Sequence, residues 1–207
     1  MYQSPAGVPI KYIEPLAALA PLSRTAGVST LRDFAAVTLL DMDGPICQHG
    51  STGLRFPVST VNYSLAAMKT VMNTFMQIKE PELSGSAMVL EAYSLHAVQQ
   101  VPAVSTSFPD RENGVLMAAV MMWDSKGLNA SRGAEVEARA VGYAKEMRDV
   151  VVRDSGGPLH AYVNYAFGDE GLEALYGYEG WRVERLRALK REWDPLNRFG
   201  WYAPIVV

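Results

Sequence analysis

The chain has 207 residues, 49% of them hydrophobic, which is enough to bury roughly 70% of the unfolded surface around one core. Its net charge of -3 and its dispersed Lys and Arg residues offer no basic field to a phosphate backbone, and no apolar run reaches the roughly 18 residues that span a bilayer. We therefore expect no nucleic-acid partner and no membrane anchor, and a cytoplasmic location unless a secreted parent was truncated.

The first quarter of the chain is predicted to be mostly irregular. Apolar residues recur at helical spacing from Pro9 to Pro21, which predicts one short helix that Pro21 ends. Residues 22–56 contain several glycines and few apolar patterns, which predicts loop structure. The stretch from Asp41 to Gly53 is a candidate wall for a ligand site.

The middle of the chain predicts a helix followed by two strands. Ser59 or Thr60 can cap a helix that continues to about Lys79. Residues 87–94 and 115–123 are short apolar runs separated by a turn-prone stretch, so we predict two antiparallel strands.

The last third predicts two helices with one strand between them. Helical periodicity covers residues 132–151 and about 180–193, and residues 160–165 are predicted to form a strand. The basic residues of the last helix are interpreted as a solvated face: Arg182, Arg185, Lys190 and Arg191. Together, the elements predict an α+β fold in which helices back one face of an antiparallel sheet.

Common catalytic and metal-binding motifs are missing from the sequence. The three histidines are scattered and lack metal-ligand spacing, so no metal site is expected. Cys47 is the single cysteine, which excludes an intramolecular disulfide. Neither a Gly-x-Gly-x-x-Gly turn nor a Gly-Lys-Ser/Thr loop occurs, so these motifs give no support for nucleotide binding.

The end of the chain carries a recognisable signature. It consists of Tyr162-Val163-Asn164-Tyr165, Tyr176-Gly177-Tyr178-Glu179-Gly180-Trp181 and Trp193-Asp194-Pro195. This signature resembles the terminal segment of berberine bridge enzyme-like flavoproteins, which are FAD-linked oxidoreductases. Upstream, the stretch from Ser105 to Arg111 and the strand ending in Trp123 are similar to the family's substrate domain. We expect one substrate-type domain over residues 1–207, with the berberine-like segment at about residues 160–205.

The resemblance implies a cofactor site on an open sheet face. Tyr162 and Asn164 would lie close to a flavin, because an amide can donate and accept at the ring's polar edge while a phenol can stack or relay a proton. Ordinary packing on a strand is the alternative explanation for both residues.

The catalytic base is harder to place. Many family members carry a polar base on the strand before the Trp, whereas residues 116–122 are all apolar here. The candidates are therefore Glu91 and Tyr165. Glu91 is either a buried carboxylate with a raised pKa or an edge residue that points to water, and the edge position is favoured.

Nothing upstream resembles an FAD-binding domain, and Cys47 with His49 does not reproduce the His and Cys that attach FAD in bicovalent members. We expect a truncated FAD-linked oxidoreductase-like protein of a secondary-metabolite pathway, with alkaloid biosynthesis as one option. It would bind no FAD and have no oxidase activity alone, and a separate FAD-domain polypeptide would complete it. The alternative is a cofactor-free protein, either a binder of an apolar metabolite or a cyclase or isomerase. Homodimerisation through the open sheet face is a further option.

Overall fold

The computed structural model describes residues 7–23, 27–30, 32–37, 41–44, 47 and 49–207. It divides into two compact units, Met1–Gln48 and His49–Val207. The expectation that residues 1–207 form one domain stays a prediction.

The described residues of the first unit include two short helices, α1 (Ile10–Ala17) and α2 (Phe34–Val37). Helix α1 confirms the predicted helix before Pro21, and none of its residues is buried. The predicted loop from Asp41 to Gly53 includes residues 45, 46 and 48, which lie outside the described residues. Cys47 is a free, exposed thiol.

The second unit is built on a three-stranded antiparallel sheet. Its strands are β1 (Ser51–Thr60), β2 (Ala87–Ala92) and β3 (Val115–Asp124), in the order β1-β3-β2. Strands β2 and β3 confirm the two predicted strands. Two cross-strand rows locate the site described below: Arg55–Val120–Ala87 and Ser59–Leu116–Glu91.

Strand β1 corrects the prediction of loop structure through residue 56. The glycines of residues 22–56, among them Gly53, suggested a loop. Pro57 within the strand is tolerated because β1 is an edge strand. The Ser59 amide donates to the His160 carbonyl at 2.7 Å on the side away from β3. Backbone N–H directions alternate along a strand, so the nitrogen of Pro57, two residues before Ser59, also faces away from β3. The N–H that proline lacks would therefore point to the free edge, and no hydrogen bond to β3 is lost.

Five helices surround the sheet in the described part of this unit. They are α3 (Leu65–Met76), α4 (His96–Gln99), α5 (Ala130–Ser155), α6 (Leu172–Tyr176) and α7 (Gly180–Trp193). No helix among the described residues is both long and apolar enough to cross a membrane.

Three local predictions were wrong. The cap of α3 is Ser64, whose Oγ accepts from the Ala67 amide at 3.2 Å, because Ser59 and Thr60 are used in β1. The predicted strand at residues 160–165 is instead a 3₁₀ turn over Val163–Tyr165. Arg182 is 1% exposed and does not lie on a solvated face.

The two faces of the sheet have different neighbours. The back face carries Phe56, Val58, Met117, Ala119 and Met121, which form one buried core with α3 and α5. Because side chains alternate along a strand, the front face carries Arg55, Ser59, Glu91, Leu116 and Ala118. Helices α3 and α5 back one face, which confirms the α+β fold class.

Candidate functional site

The front face brings Glu91 and Tyr165 together. The Tyr165 hydroxyl donates to Glu91 Oε1 at 3.3 Å, and the Arg55 guanidinium lies 5.6 Å from the centre of the Tyr165 ring. Arg55 is on β1 and Glu91 is on β2, so the phenol spans the central strand between them. Ala118 is the front-face residue between these two rows and is fully buried. A small side chain at this position leaves room for the ring.

The path of the chain after α5 explains how Tyr165 reaches this face. The Ser59–His160 hydrogen bond attaches the segment to the free edge of β1. The 3₁₀ turn then directs Tyr165 over the front face. Two residues later, Phe167 stacks on Phe56 of the back face, with ring centres 4.3 Å apart. Residues 160–167 therefore wrap the edge of β1, which a continuous strand could not do.

Tyr162 and Asn164 lie next to this pair. The Asn164 side-chain amide donates to the Tyr162 hydroxyl at 2.7 Å, and the Tyr162 and Tyr165 rings meet edge to face at 5.4 Å. Asn164 is exposed. Its amide oxygen has no hydrogen-bond partner within the described residues, so it can still accept a hydrogen bond from a bound molecule.

The Glu91 carboxyl is surrounded by phenols. Burial and, after it, the Glu91 carboxylate raise the pKa of Tyr165 and of Tyr63. The same two causes raise the pKa of Tyr93 to about 12; much of its ring is exposed, but its hydroxyl interacts with Glu91. All three phenols therefore stay protonated near neutral pH and can act as hydrogen-bond donors.

The structure corrects the favoured expectation for Glu91. Strand β2 is an edge strand, but the side chain turns inward over the front face and does not point to water. Its Oε2 atom is buried and has no hydrogen-bond partner in the part of the chain that the structure describes. A buried acceptor without a partner is uncommon and costs about 1–3 kcal/mol. The catalytic roles of Glu91 and Tyr165 remain predictions.

An apolar cavity of about 270 Å³ adjoins the cluster. Its walls include Tyr93, Leu95, Val98, Phe108, Leu116 and Tyr162. Glu91 is the cross-strand neighbour of Leu116, so the carboxyl lies behind the wall and the two tyrosines stand in front of it. A ligand in this cavity would contact these phenols, and the Asp110 carboxyl that also lines it, before Glu91.

A larger cavity of about 720 Å³ lies beyond Ser59 and Asn113, which line both spaces. Its lining has mixed charge: Arg111, Glu112, Asp154, His160 and Glu179. Tyr93, Leu116 and Tyr162, the neighbours of the Glu91–Tyr165 pair, line the smaller cavity and not this one, so we place the candidate site at the smaller cavity. No group of three or more His, Cys, Asp and Glu residues among those described is arranged to hold a metal ion.

Sequence reasoning missed Arg55 and Tyr93. Tyr93 is two residues after Glu91, and the alternation of a strand puts both on one face, so this residue could have been found. Arg55 lay in a stretch predicted as loop, and its position opposite Tyr165 follows only from the pairing of β1 with β3.

Comparison with known proteins gives this site its context. Residues 161–205 match the family described as berberine and berberine like. The FAD-linked oxidoreductase anuG of Penicillium roqueforti is 34% identical over 95% of this chain and 38% of its own length.

Two solved structures share the fold. BBE-like #28 from Arabidopsis thaliana superposes with a TM-score of 0.60 at 14% identity, over 95% of this chain and 39% of its own. CrmK, a flavoenzyme involved in shunt product recycling in caerulomycin biosynthesis, superposes with a TM-score of 0.61 at 20% identity, over 93% of this chain and 41% of its own.

Residues 161–205 belong to the berberine and berberine-like family, as the terminal signature predicted, and the chain as a whole is similar to part of the fungal FAD-linked oxidoreductases. It spans 38% of the length of the relative from Penicillium roqueforti.

Proposed function

We propose that this chain forms the substrate-binding part of an FAD-linked oxidoreductase that acts on an apolar metabolite. The observation that carries the proposal is the Glu91 carboxyl, which is hydrogen-bonded to Tyr165 and lies behind an apolar cavity faced by Tyr93 and Tyr162. The site combines a proton acceptor, phenolic donors and an apolar compartment, which is a suitable set for removing hydrogen from a small organic molecule.

The residues present fit one edge of a flavin. Asn164 is exposed with a free amide oxygen, which can accept from a ring N–H, and Tyr162 holds the amide in place through its hydroxyl. When bound, FAD would supply the acceptor for a hydride from the substrate. The sequence contains no phosphate-binding motif, so we propose that the pyrophosphate and adenine are held by residues that this chain does not contain. The chain alone would then neither bind FAD nor act as an oxidase.

Proton removal falls to the chain's own residues. A substrate hydroxyl in the cavity would donate to the phenol oxygen of Tyr93. As the substrate O–H bond breaks, its proton passes to the Tyr93 oxygen while the proton that Tyr93 carried passes to the Glu91 carboxylate. Tyr93 can serve as this link because it lines the cavity and its hydroxyl interacts with Glu91.

A separate FAD-domain polypeptide is the proposed partner, with a homodimer as the alternative. Near the end of the chain, aromatic side chains are unusually exposed: Trp193 76%, Phe199 81% and Trp201 95%. Apolar surface of this kind is typical of an interface. The fungal relative and the named biosynthetic role of CrmK support a place in secondary metabolism, and alkaloid biosynthesis is the narrower form of this proposal.

A cofactor-free function is the second candidate, as a binding protein, cyclase or isomerase. It is favoured by one observation: the carboxyl, the phenols and the cavity all come from this chain. Acid–base chemistry on a bound metabolite would need nothing further.

The first experiment measures absorbance between about 350 and 500 nm, where flavins absorb. We expect the purified chain to be colourless and to stay so after FAD titration. Co-expression with the part of anuG that this chain does not match should give a yellow complex that oxidises 2-naphthalenemethanol, an aryl alcohol suited to an apolar cavity.

In that complex, Glu91→Gln should keep the colour and reduce the oxidation rate by about 10²-fold or more, because a general base is lost. Glu184→Gln, on the exposed side of α7, is the matched control and should retain the rate. A colourless complex, or full activity of Glu91→Gln, contradicts the proposal. Binding of the alcohol by a chain that stays colourless even in the complex favours the cofactor-free function.

A further inference from the structure

Arg182 is a buried cation in the first turn of α7. Its side chain is 1% exposed and its guanidinium lies 4.5 Å from the centre of the Trp181 ring. Nη1 donates to the carbonyls of Ala103 (3.2 Å) and Thr106 (2.9 Å), and Nη2 donates to Glu179 (3.2 Å). Burying a charged group costs several kcal/mol, so the contacts of this residue must offset a large penalty.

The carbonyls that Arg182 holds belong to the segment between β2 and β3, residues 95–111. This segment contains only α4 and a 3₁₀ turn at Ala103–Ser105, so few of its backbone groups are paired in regular structure. It nevertheless supplies Leu95, Val98, Phe108 and Asp110 to the 270 Å³ cavity.

A second arginine completes the support from inside the segment. Arg111 Nη1 donates to the Val98 carbonyl at 2.7 Å and Nη2 donates to Thr106 Oγ1. Its guanidinium lies 5.8 Å from the centre of the Phe108 ring. Two guanidinium groups therefore hold the backbone that positions the apolar wall.

The approach of the segment to α7 is also close. Gly177 has φ +99°, and a Cβ at this position would lie 2.5 Å from Glu179 Oε2 and 3.1 Å from both Pro109 Cβ and Arg182 Nε. A larger residue would therefore collide with Pro109 and with the Glu179–Arg182 pair. This close contact and the Arg182 hydrogen bonds point to the same fixed placement of residues 103–109.

We propose that Arg182 is a positioning residue that determines ligand affinity at the 270 Å³ cavity, although it does not line it. By holding the carbonyls of Ala103 and Thr106, it fixes Phe108 and Val98 against the front face. Arginine is required because its planar fork reaches two carbonyls at once, whereas a lysine ammonium is a single point charge. The inference rests on the proposed function only in taking this cavity as the binding site.

The test compares Arg182→Met and Arg182→Lys with Arg187→Met, using 2-naphthalenemethanol as the probe. Arg187 is the matched control because it lies on the same helix and donates to the Val206 carbonyl at 3.1 Å, outside residues 95–111. We expect both Arg182 variants to bind the alcohol about tenfold more weakly or worse, as loss of hydrogen bonds from a charged group implies. Arg187→Met should stay within about twofold. Wild-type affinity in Arg182→Lys overturns the proposal, even if Arg182→Met fails to fold.

Hydrogen exchange separates this inference from the function. In Arg182→Lys, amides of residues 95–111 should exchange about tenfold faster while those of β3 are unchanged. If neither variant folds, hydrogen exchange of the wild-type chain in urea tests the proposal. If Arg182 holds the segment, the amides of residues 95–111 should open together with those at the start of α7. Opening of the segment while α7 stays closed contradicts the proposal. Absence of probe binding by the wild-type chain would instead count against the proposed substrate, and the exchange result would still test the role of Arg182.

Discussion

On the back face of the sheet, Met117 and Met121 pack against α3 and α5, whereas on the front face Ala118 lies between the rows occupied by Arg55 and Glu91. The same central strand thus supplies large apolar side chains to one side and room for polar groups to the other. The back face is satisfied by packing, while the front face keeps a buried carboxyl oxygen without a partner among the described residues. Substitutions on the back should therefore change mainly the free energy of unfolding, and those on the front mainly proton affinities and binding.

The largest effect is expected on the back face from Phe56→Ala. Phe56 is fully buried, stacks on Phe167 and has the Arg148 guanidinium 5.6 Å from its ring centre. The cavity left behind should lower the free energy of unfolding by about 3–5 kcal/mol, measured by urea denaturation. Phe199→Ala, at an 81% exposed residue, should cost about 0.5 kcal/mol or less. If Phe56→Ala and Phe199→Ala lower the free energy of unfolding by similar amounts, packing on the back face is not the main source of stability.

Tyr165→Phe tests the front face and should cost less. It removes the hydroxyl that donates to Glu91 Oε1 and leaves a buried acceptor unpaired, so we expect a loss of about 1–2 kcal/mol in the same measurement. Tyr63→Phe is the matched control, since this residue is 44% exposed and its hydroxyl makes no hydrogen bond among the described residues. A loss as large as that of Phe56→Ala would mean that Tyr165 serves mainly as core.

The free energy of unfolding in acid should depend on the ion pair between Arg148 and Asp169, next to the back face of the sheet. Arg148 is buried and donates to both carboxylate oxygens of Asp169, at 2.8 and 2.9 Å, which lowers the pKa of Asp169 to about 2. Because the folded-state pKa is lower than the ordinary value, this stabilisation is present above about pH 4 and is lost as the pH falls towards 2. Urea midpoints measured across this range should fall in the wild type.

Asp169→Asn should lower stability at neutral pH and flatten the fall in acid. Glu137→Gln, at an exposed carboxyl on α5, should retain the wild-type pH profile. If Asp169→Asn loses stability in acid as the wild type does, the Arg148–Asp169 pair is not the cause of the acid sensitivity.

The smallest effect is expected from Glu91→Gln on the alkaline side. The pKa of Tyr93 is about 12, with burial as the first cause and Glu91 as the second, so the variant should lower it only part of the way towards 10. Phenolate absorbance during alkaline titration measures this change. Since a raised pKa favours the protonated folded state, wild-type stability should fall between about pH 10 and 12, and less so in Glu91→Gln. A Tyr93 titration that Glu91→Gln leaves unchanged would show that the carboxyl does not act on the phenol.

Much of the local structure followed from the sequence. Helical periodicity predicted α5 and α7, and two apolar runs predicted β2 and β3, because these signals reside in the segments themselves. Strand β1 could not be predicted in this way: the glycines in and before it suggest a loop, and it becomes a strand only by pairing with β3. The 3₁₀ turn at Val163–Tyr165 likewise depends on the edge around which residues 160–167 wrap.

For the site, the terminal signature by itself determined the family and selected Tyr162, Asn164 and Tyr165, while the apolar strand before Trp123 left Glu91 as a further candidate for the base. Tertiary structure alone decided that Glu91 turns inward to meet Tyr165, a residue 74 positions later. It also decided that Arg182 is buried, although a basic residue on a polar helix ordinarily faces water. The physical reason is the same in both cases: a polar side chain is buried when distant parts of the chain supply its hydrogen-bond partners, and a local sequence pattern does not contain them.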